Sequence, residues 1–236
     1  MKLHHLVAWV AVALLFPNLS AAEAGEVARS SHPWPREGHL NYSVMRGDGG
    51  FVVGRATVEW HIEGKTYALK STVETAGLVA LFKSFKAIQE SHGEVTPSGL
   101  RPSVFVQERG KGTEKAQFDW LRGTVRNGET EDPLVAGTQD VLSVYYQLAL
   151  MSPTRGFVEI PIATGRKLAL YRFEVIATEL LTTDDGPQKT VHLRAKTGND
   201  TMDLWLAPQF SPLPLRITIL DKKGDLYDQR ATLLSR

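Results

Sequence analysis

Cysteine is absent from all 236 residues of this chain. The absence excludes disulfides, thiolate metal sites and a cysteine nucleophile. It also excludes the lipid-modified cysteine that a lipoprotein signal needs at its cleavage point. An oxidising compartment permits disulfides without demanding them, and a chain of this length can bury enough apolar surface to fold without them. Neither sign of charge is in excess: 27 Lys and Arg stand against 26 Asp and Glu. The charges are mixed along the chain, so the sequence offers no long-range reason to bind nucleic acid or an anionic membrane. No long apolar run occurs after Phe16, so no transmembrane helix is expected beyond the N-terminal region. Catalytic signatures are missing too. There is no Gly-x-Ser-x-Gly and no Gly-x-x-x-x-Gly-Lys-Ser/Thr, and Gly110-Lys111-Gly112 reads as a hairpin rather than a phosphate loop.

The N-terminal residues carry a clear pattern. Lys2 gives a short positive start, Leu6 to Phe16 form an unbroken apolar run, and Pro17 stops it. Small residues follow in Ser20-Ala21-Ala22 and Ala22-Glu23-Ala24. This is the layout of a secretory signal peptide over residues 1–24, too short for a membrane span. Residues 25–38, polar and holding Pro33 and Pro35, read as a flexible lead-in to a single domain over 39–236.

From Leu40 on, alternation of period two dominates. Ala56, Val58, Trp60 and Ile62 share one face, with Thr57, Glu59 and His61 on the other. About a dozen segments pass the same test. Their joints are short and rich in turn residues, as in Glu63-Gly64, Pro97-Ser98-Gly99 and Lys223-Gly224-Asp225. Short joints force sequential antiparallel pairing, because a parallel crossover needs a dozen or more residues. Two segments break the alternation. Gly77–Phe82 reads as a single apolar helical turn. Gln139–Met151 reads as a helix with Val141, Val144, Tyr145 and Leu148 in one stripe, capped by Thr138, with Asp140 at the positive end of its dipole. The expected fold is therefore mainly β: an antiparallel meander curled into a half-barrel or open roll, with one or two short helices on its concave face.

Functional residues are harder to name. Glu59-x-His61-x-Glu63 and Glu90-x-His92-x-Glu94 each gather a histidine and two carboxylates on one strand face, but that face alternates with the apolar one and reads as solvated surface. No metal, cofactor or catalytic residue is expected. Large rings can line an apolar groove, so the expected pocket residues are Leu78, Leu81, Phe82, Trp120, Tyr145 and Trp205. Both helical segments should cover the inner face of the sheet, with the pocket opening between them and the strands bearing Trp120 and Trp205. The short segment with Leu81 and Phe82 serves as a lid in this reading.

The segments Phe118-Asp119-Trp120 with Gly123-Thr124-Val125, then Gln139-Asp140-Val141-Leu142-Ser143, then Trp205-Leu206-Ala207-Pro208 with Leu213-Pro214-Leu215-Arg216-Ile217 follow one another in an order that resembles a bacterial family, DUF3108, from about Leu40 to the C-terminal end. The resemblance implies an exported protein and supplies no catalytic residues. The expected half-barrel with an inserted helix also looks like the fold of periplasmic lipoprotein carriers, an analogy of fold alone. The reading is a periplasmic, non-enzymatic protein that holds a lipid-like ligand or an envelope partner protein against a curved sheet. The alternatives are a hydrolase acting on envelope material, a structural scaffold, and a small outer-membrane barrel. N-terminal sequencing of the exported protein should find the chain starting after Ala22 or Ala24; an intact Met1 in the envelope fraction would refute the signal peptide.

Overall fold

The computed structural model describes residues 35–48, 50–76, 85–197 and 200–232. The proposed signal peptide and the segment holding Leu78, Leu81 and Phe82 lie outside them. Among these residues fifteen strands form one sheet. In the first half β1 spans Glu37–Arg46, β2 Phe51–Glu63, β3 Thr66–Thr75, β4 Lys86–Thr96, β5 Gly99–Arg109, β6 Gly112–Asp119, β7 Thr124–Asn127 and β8 Thr130–Pro133. In the second half β9 spans Gln139–Asp140, β10 Phe157–Ala163, β11 Leu168–Thr183, β12 Gly186–Thr197, β13 Asp200–Leu206, β14 Arg216–Leu220 and β15 Leu226–Thr232. A helix, α1, spans Ser143–Met151.

Each half is a meander of neighbouring hairpins, as the short turns require. The halves join where β1 pairs antiparallel with β15, Tyr42 opposite Ala231. The expected antiparallel roll is thus present. β9 is the exception in direction, pairing in parallel with β10 through the crossover that contains α1. β7, β8 and β9 are strands the alternation test misses, since two to four residues are too few to show a period. Pro133 sits in the edge strand β8, where its missing N–H costs no ladder bond.

The sheet curls so that both halves turn one face inward. Register shifts at Val44/Met45, His92/Gly93 and Val175/Ala177 mark bulges, which bend strands and increase twist. Leu40, Tyr42, Val58, Trp60, Leu69, Phe105 and Val125 fill the interior of the first half with Tyr146 of α1. Val144 and Leu148 of α1 pack with Ile160, Phe173, Leu193 and Leu204 of the second half. The helix therefore lies inside the roll and touches both halves, as its apolar stripe demands.

The expected helix start needs correction. Gln139 and Asp140 are strand, and the helix begins at Ser143. Thr138 does not cap it; its hydroxyl donates to the Val135 carbonyl at 2.7 Å. Asp140, three residues before Ser143, accepts the backbone N–H of Leu142 and of Ser143, both at 2.8 Å, and so holds the helix start. Ser152 ends the helix in a left-handed conformation (φ 45°), its N–H donating to Leu148 O at 2.9 Å.

Two of the contacts between the halves depend on glycine. Gln147 of α1 accepts the Leu100 N–H (2.9 Å) and donates to the Ser98 carbonyl (3.1 Å). A side chain at Gly99, where φ is +116°, would overlap the Gln147 amide. At the tip of the β10–β11 hairpin, the Gly165 N–H donates to Asn127 Oδ1 at 3.1 Å. Gly165 has φ +83°, and a Cβ there would lie 3.0 Å from Glu114 Cβ and Lys115 N. Both positions need glycine for backbone freedom and for close approach.

Asp140 is fully buried, with no cation among its bonded partners. Besides the two backbone N–H groups it accepts the Ser91 hydroxyl of β4 at 2.6 Å. Ser91 has one proton and gives it to Asp140, so the Tyr67 hydroxyl, 3.1 Å away, donates to Ser91. Burial raises the Asp140 carboxyl above its ordinary 3.8, and its hydrogen bonds act in the opposite sense. The folded protein then holds this proton more tightly than the unfolded chain. That stabilising contribution is complete below pH 3.8 and is lost as pH climbs through the raised native value. Urea unfolding should show wild type losing stability relative to Asp140→Asn as pH rises through that window; parallel profiles would refute the assignment. Asp140→Ala, which strands buried donors, should cost roughly 1–3 kcal/mol, and Gly165→Ala a similar amount through its positive φ.

Candidate functional site

An antiparallel meander puts its turns alternately at two ends, and the two ends of this roll differ. At one end the β13–β14 connection folds into the interior. Ala207, Leu213 and Leu215 are buried in the core, and the Tyr42 hydroxyl donates to the Pro214 carbonyl at 2.8 Å. Burial raises the Tyr42 phenol well above its usual range, so it stays a neutral donor. Trp60 closes the same end, its indole N–H on Pro35 O at 3.0 Å and its ring against Gly38.

At the other end, beside the β1–β2 and β14–β15 turns, a cavity of about 570 Å³ opens between the halves. Val44, Val53, Val73, Phe85, Ile219 and Tyr227 form its apolar wall. Arg46, Glu74, Arg109 and Gln229 supply polar groups. The Arg109 guanidinium lies 5.2 Å from the centre of the Phe85 ring, so a cation and an aromatic face share the lining. Arg46 pairs with Asp225 at 2.5 Å, and that hydrogen bond raises its already high pKa further. A smaller cavity of about 180 Å³ meets the same Ile219 from the helix side, lined by Val141, Val144, Tyr145, Ile162, Tyr171 and Met202. The Tyr145 hydroxyl points at Met202 Sδ, 3.8 Å away, and burial pushes its pKa up to about 12.

Of the described residues expected at a pocket, Tyr145 lines this inner cavity. Trp120 stacks on Phe118 with centroids 6.3 Å apart and donates to the Pro102 carbonyl at 2.6 Å. It borders a separate groove with Arg101, Arg122 and Arg126. Trp205 lies on the sheet's outer face, opposite Leu204 and Leu206. Its ring stacks on His192 at 4.3 Å, lies 4.8 Å from the Arg216 guanidinium, and donates to Glu179 Oε1 at 2.6 Å. His192 in turn meets Asp203 at 2.7 Å, which also accepts Arg194 Nε at 2.7 Å. These groups neutralise one another across β11, β12 and β13, and among the described residues no serine hydroxyl bonds to them.

The first two members of each Glu-His-Glu triplet come together. A groove of about 560 Å³ on the outer face of β1–β4 is lined by Glu37, His39, Glu59, His61, Lys70, Glu90 and His92. Register puts Glu59, Lys70 and Glu90 in one row, and Lys70 donates to Glu90 Oε1 at 2.8 Å. This bond holds the Glu90 carboxyl below its usual range. His61 and His92 stand on either side of Ala68. Among the described residues no group of three or more His, Asp or Glu is arranged to hold a metal ion, and no helix is long and apolar enough to cross a membrane. Sequence reasoning missed the mouth cavity itself. Its signal was Val44, Val53 and Val73 on one inward face, near turns at one end.

A similar solved structure is the crystal structure of a beta-barrel-like protein of a domain of unknown function, DUF1849, from Brucella abortus. The likeness has a TM-score of 0.53 and 11% identity, and covers 82% of this chain and 95% of that one. At that identity it concerns the fold. No curated protein matches the sequence. Residues 41–230 match the profile of a protein family of unknown function, DUF3108, and the chain belongs to that family.

Proposed function

We propose that this protein is a non-enzymatic periplasmic binder of an apolar or amphipathic envelope ligand, taken up at the open end of the roll. One observation carries the reading: the core is filled at one end and gives way at the other to an apolar cavity of about 570 Å³ with Arg109 in its lining. That volume falls in the range of small-molecule sites, roughly 300–1,000 Å³. An apolar chain would take the place of water against Val44, Val73, Phe85 and Ile219. Burying such groups is worth roughly 1.5–3 kcal/mol per large side chain. An anionic head would sit by the Arg109 guanidinium, where charge-assisted hydrogen bonds are strong. The Glu-His groove on the outer face does not favour a hydrolase, because its carboxylates face Lys70 and solvent rather than a shielded nucleophile.

Protein purified without detergent should release a lipid-like compound on organic extraction, read by mass spectrometry. It should also bind 11-(dansylamino)undecanoic acid with a rise in fluorescence. Phe85→Ser and Val73→Ser should each weaken the probe about tenfold, whereas His61→Ala on the outer face should leave it unchanged. Arg109→Gln should weaken the acid about tenfold and the corresponding alcohol little. Empty extracts together with no probe binding by the wild type would refute the reading.

A further inference from the structure

Lysines far apart along the sequence meet when the chain folds. The β1–β2, β5–β6, β10–β11 and β14–β15 turns and the start of β4 all lie at the open end, because each hairpin of a meander reverses direction. They bring exposed Lys86, Lys111, Lys167 and Lys223 to one rim from four distant parts of the chain. None of these four lysines is in an ion pair among the described residues. The acids of the same turns are held otherwise. Asp225 pairs with Arg46 at 2.5 Å, and Asp48 with Arg216 and Arg230 at 3.1 and 3.2 Å. The Asp221 carboxylate accepts the backbone N–H of Lys223 and of Asp225. Exposed Glu129 of the β7–β8 turn also lies at the open end, while at the closed end the β11–β12 turn carries Asp184 and Asp185 and the β2–β3 turn Lys65.

Exposed apolar side chains lie on the same rim. Phe51 is 63% exposed, Val52 47% and Leu220 42%. Phe51 and Leu220 flank the β1–β2 and β14–β15 turns, and Gly47 of the first donates its N–H to Leu226 O of the second at 2.8 Å. Unpaired lysines around large exposed apolar residues are the composition of a surface that enters the headgroup layer of an anionic bilayer.

We propose that the open end docks on an anionic lipid bilayer. Lys86, Lys111, Lys167 and Lys223 meet the headgroup phosphates, and Phe51, Val52 and Leu220 enter the interface. The cavity then faces the membrane, so an apolar ligand passes between bilayer and protein without crossing water. This delivery rests on the cavity reading above, whereas the docking face rests on the rim.

The test is sedimentation of the exported protein with vesicles of phosphatidylglycerol or of phosphatidylcholine. Pelleting is expected with phosphatidylglycerol, far less with phosphatidylcholine, and should fall with salt as the Debye length shortens from about 10 Å at 0.1 M to about 3 Å at 1 M. Lys111→Gln, Lys167→Gln and Lys223→Gln should each weaken binding about fivefold. Phe51→Ser should weaken it further, and the closed-end control Lys65→Gln should not. None of these residues lines the cavity, so the dansyl probe should bind all the variants like wild type, which also shows that they fold. No pelleting on phosphatidylglycerol at low salt, equal pelleting on phosphatidylcholine, or equal weakening by Lys65→Gln would overturn the docking face. Probe uptake without pelleting overturns docking and leaves the cavity reading standing. Pelleting without probe uptake supports docking and overturns the cavity reading.

Discussion

The interior carboxyl of Asp140 constrains everything around it. A buried acid without a cation is tolerated only if donors reach it. Its donors come from both halves of the chain: the Ser91 hydroxyl from β4, and the Leu142 and Ser143 N–H groups from the start of α1. These bonds form together only when the second half has swung over the first. Gln139 extends the clamp, donating to the Leu100 carbonyl at 2.8 Å, and Gln147 extends it along the helix. This docking ties the start of α1 to β4 inside the roll.

This also explains what was legible in the sequence and what was not. Alternation is a local property, so the long strands, their turns and the apolar stripe of α1 could be read directly. Asp140 could be placed near the positive end of a helix dipole from its position before the stripe. Its bond to Ser91 could not, since 49 residues separate them and no local period links the two. Trp205 illustrates a different difficulty. Its size argued for a pocket, but its parity with Asp203, against Leu204 and Leu206, argued for the outer face, and parity prevails. The ring is nonetheless buried, because His192 and Arg216 cover it. Burial of a large ring is therefore no proof that it faces the core.

The polar faces show why chemistry-bearing residue types need not make a chemical site. Glu59, His61, Glu90 and His92 come close because antiparallel register makes rows of them. The same register places Lys70 in the row, and charge compensation follows. Glu179, His192, Arg194 and Asp203 repeat the arrangement on the other half. A metal or catalytic site needs ligands converging on one point with their orientation fixed from behind. A row on a flat pleated face spreads them roughly 5 Å apart, strand by strand. Cross-strand pairing thus consumes the charges that, read in sequence alone, resembled ligands.

The asymmetry of the two ends carries the functional argument. The β13–β14 connection is apolar, with Leu213, Pro214 and Leu215 in sequence, and it fills one end of the roll with its own side chains. The described β1–β2, β5–β6 and β14–β15 turns at the opposite end are built from Gly, Asp and Lys, and their side chains do not enter the apolar interior. Among the described residues Val44, Val53, Val73, Phe85 and Ile219 line a space rather than packing together. A protein interior normally packs densely, and wall atoms facing a void lose their dispersion partners. A ligand that supplies those partners binds the folded state and not the unfolded one, so it stabilises the fold by mass action. Under the proposed function an apolar guest would repair this defect of packing, and the unpaired lysines at the same end would place the guest's entry beside an anionic surface that could supply it.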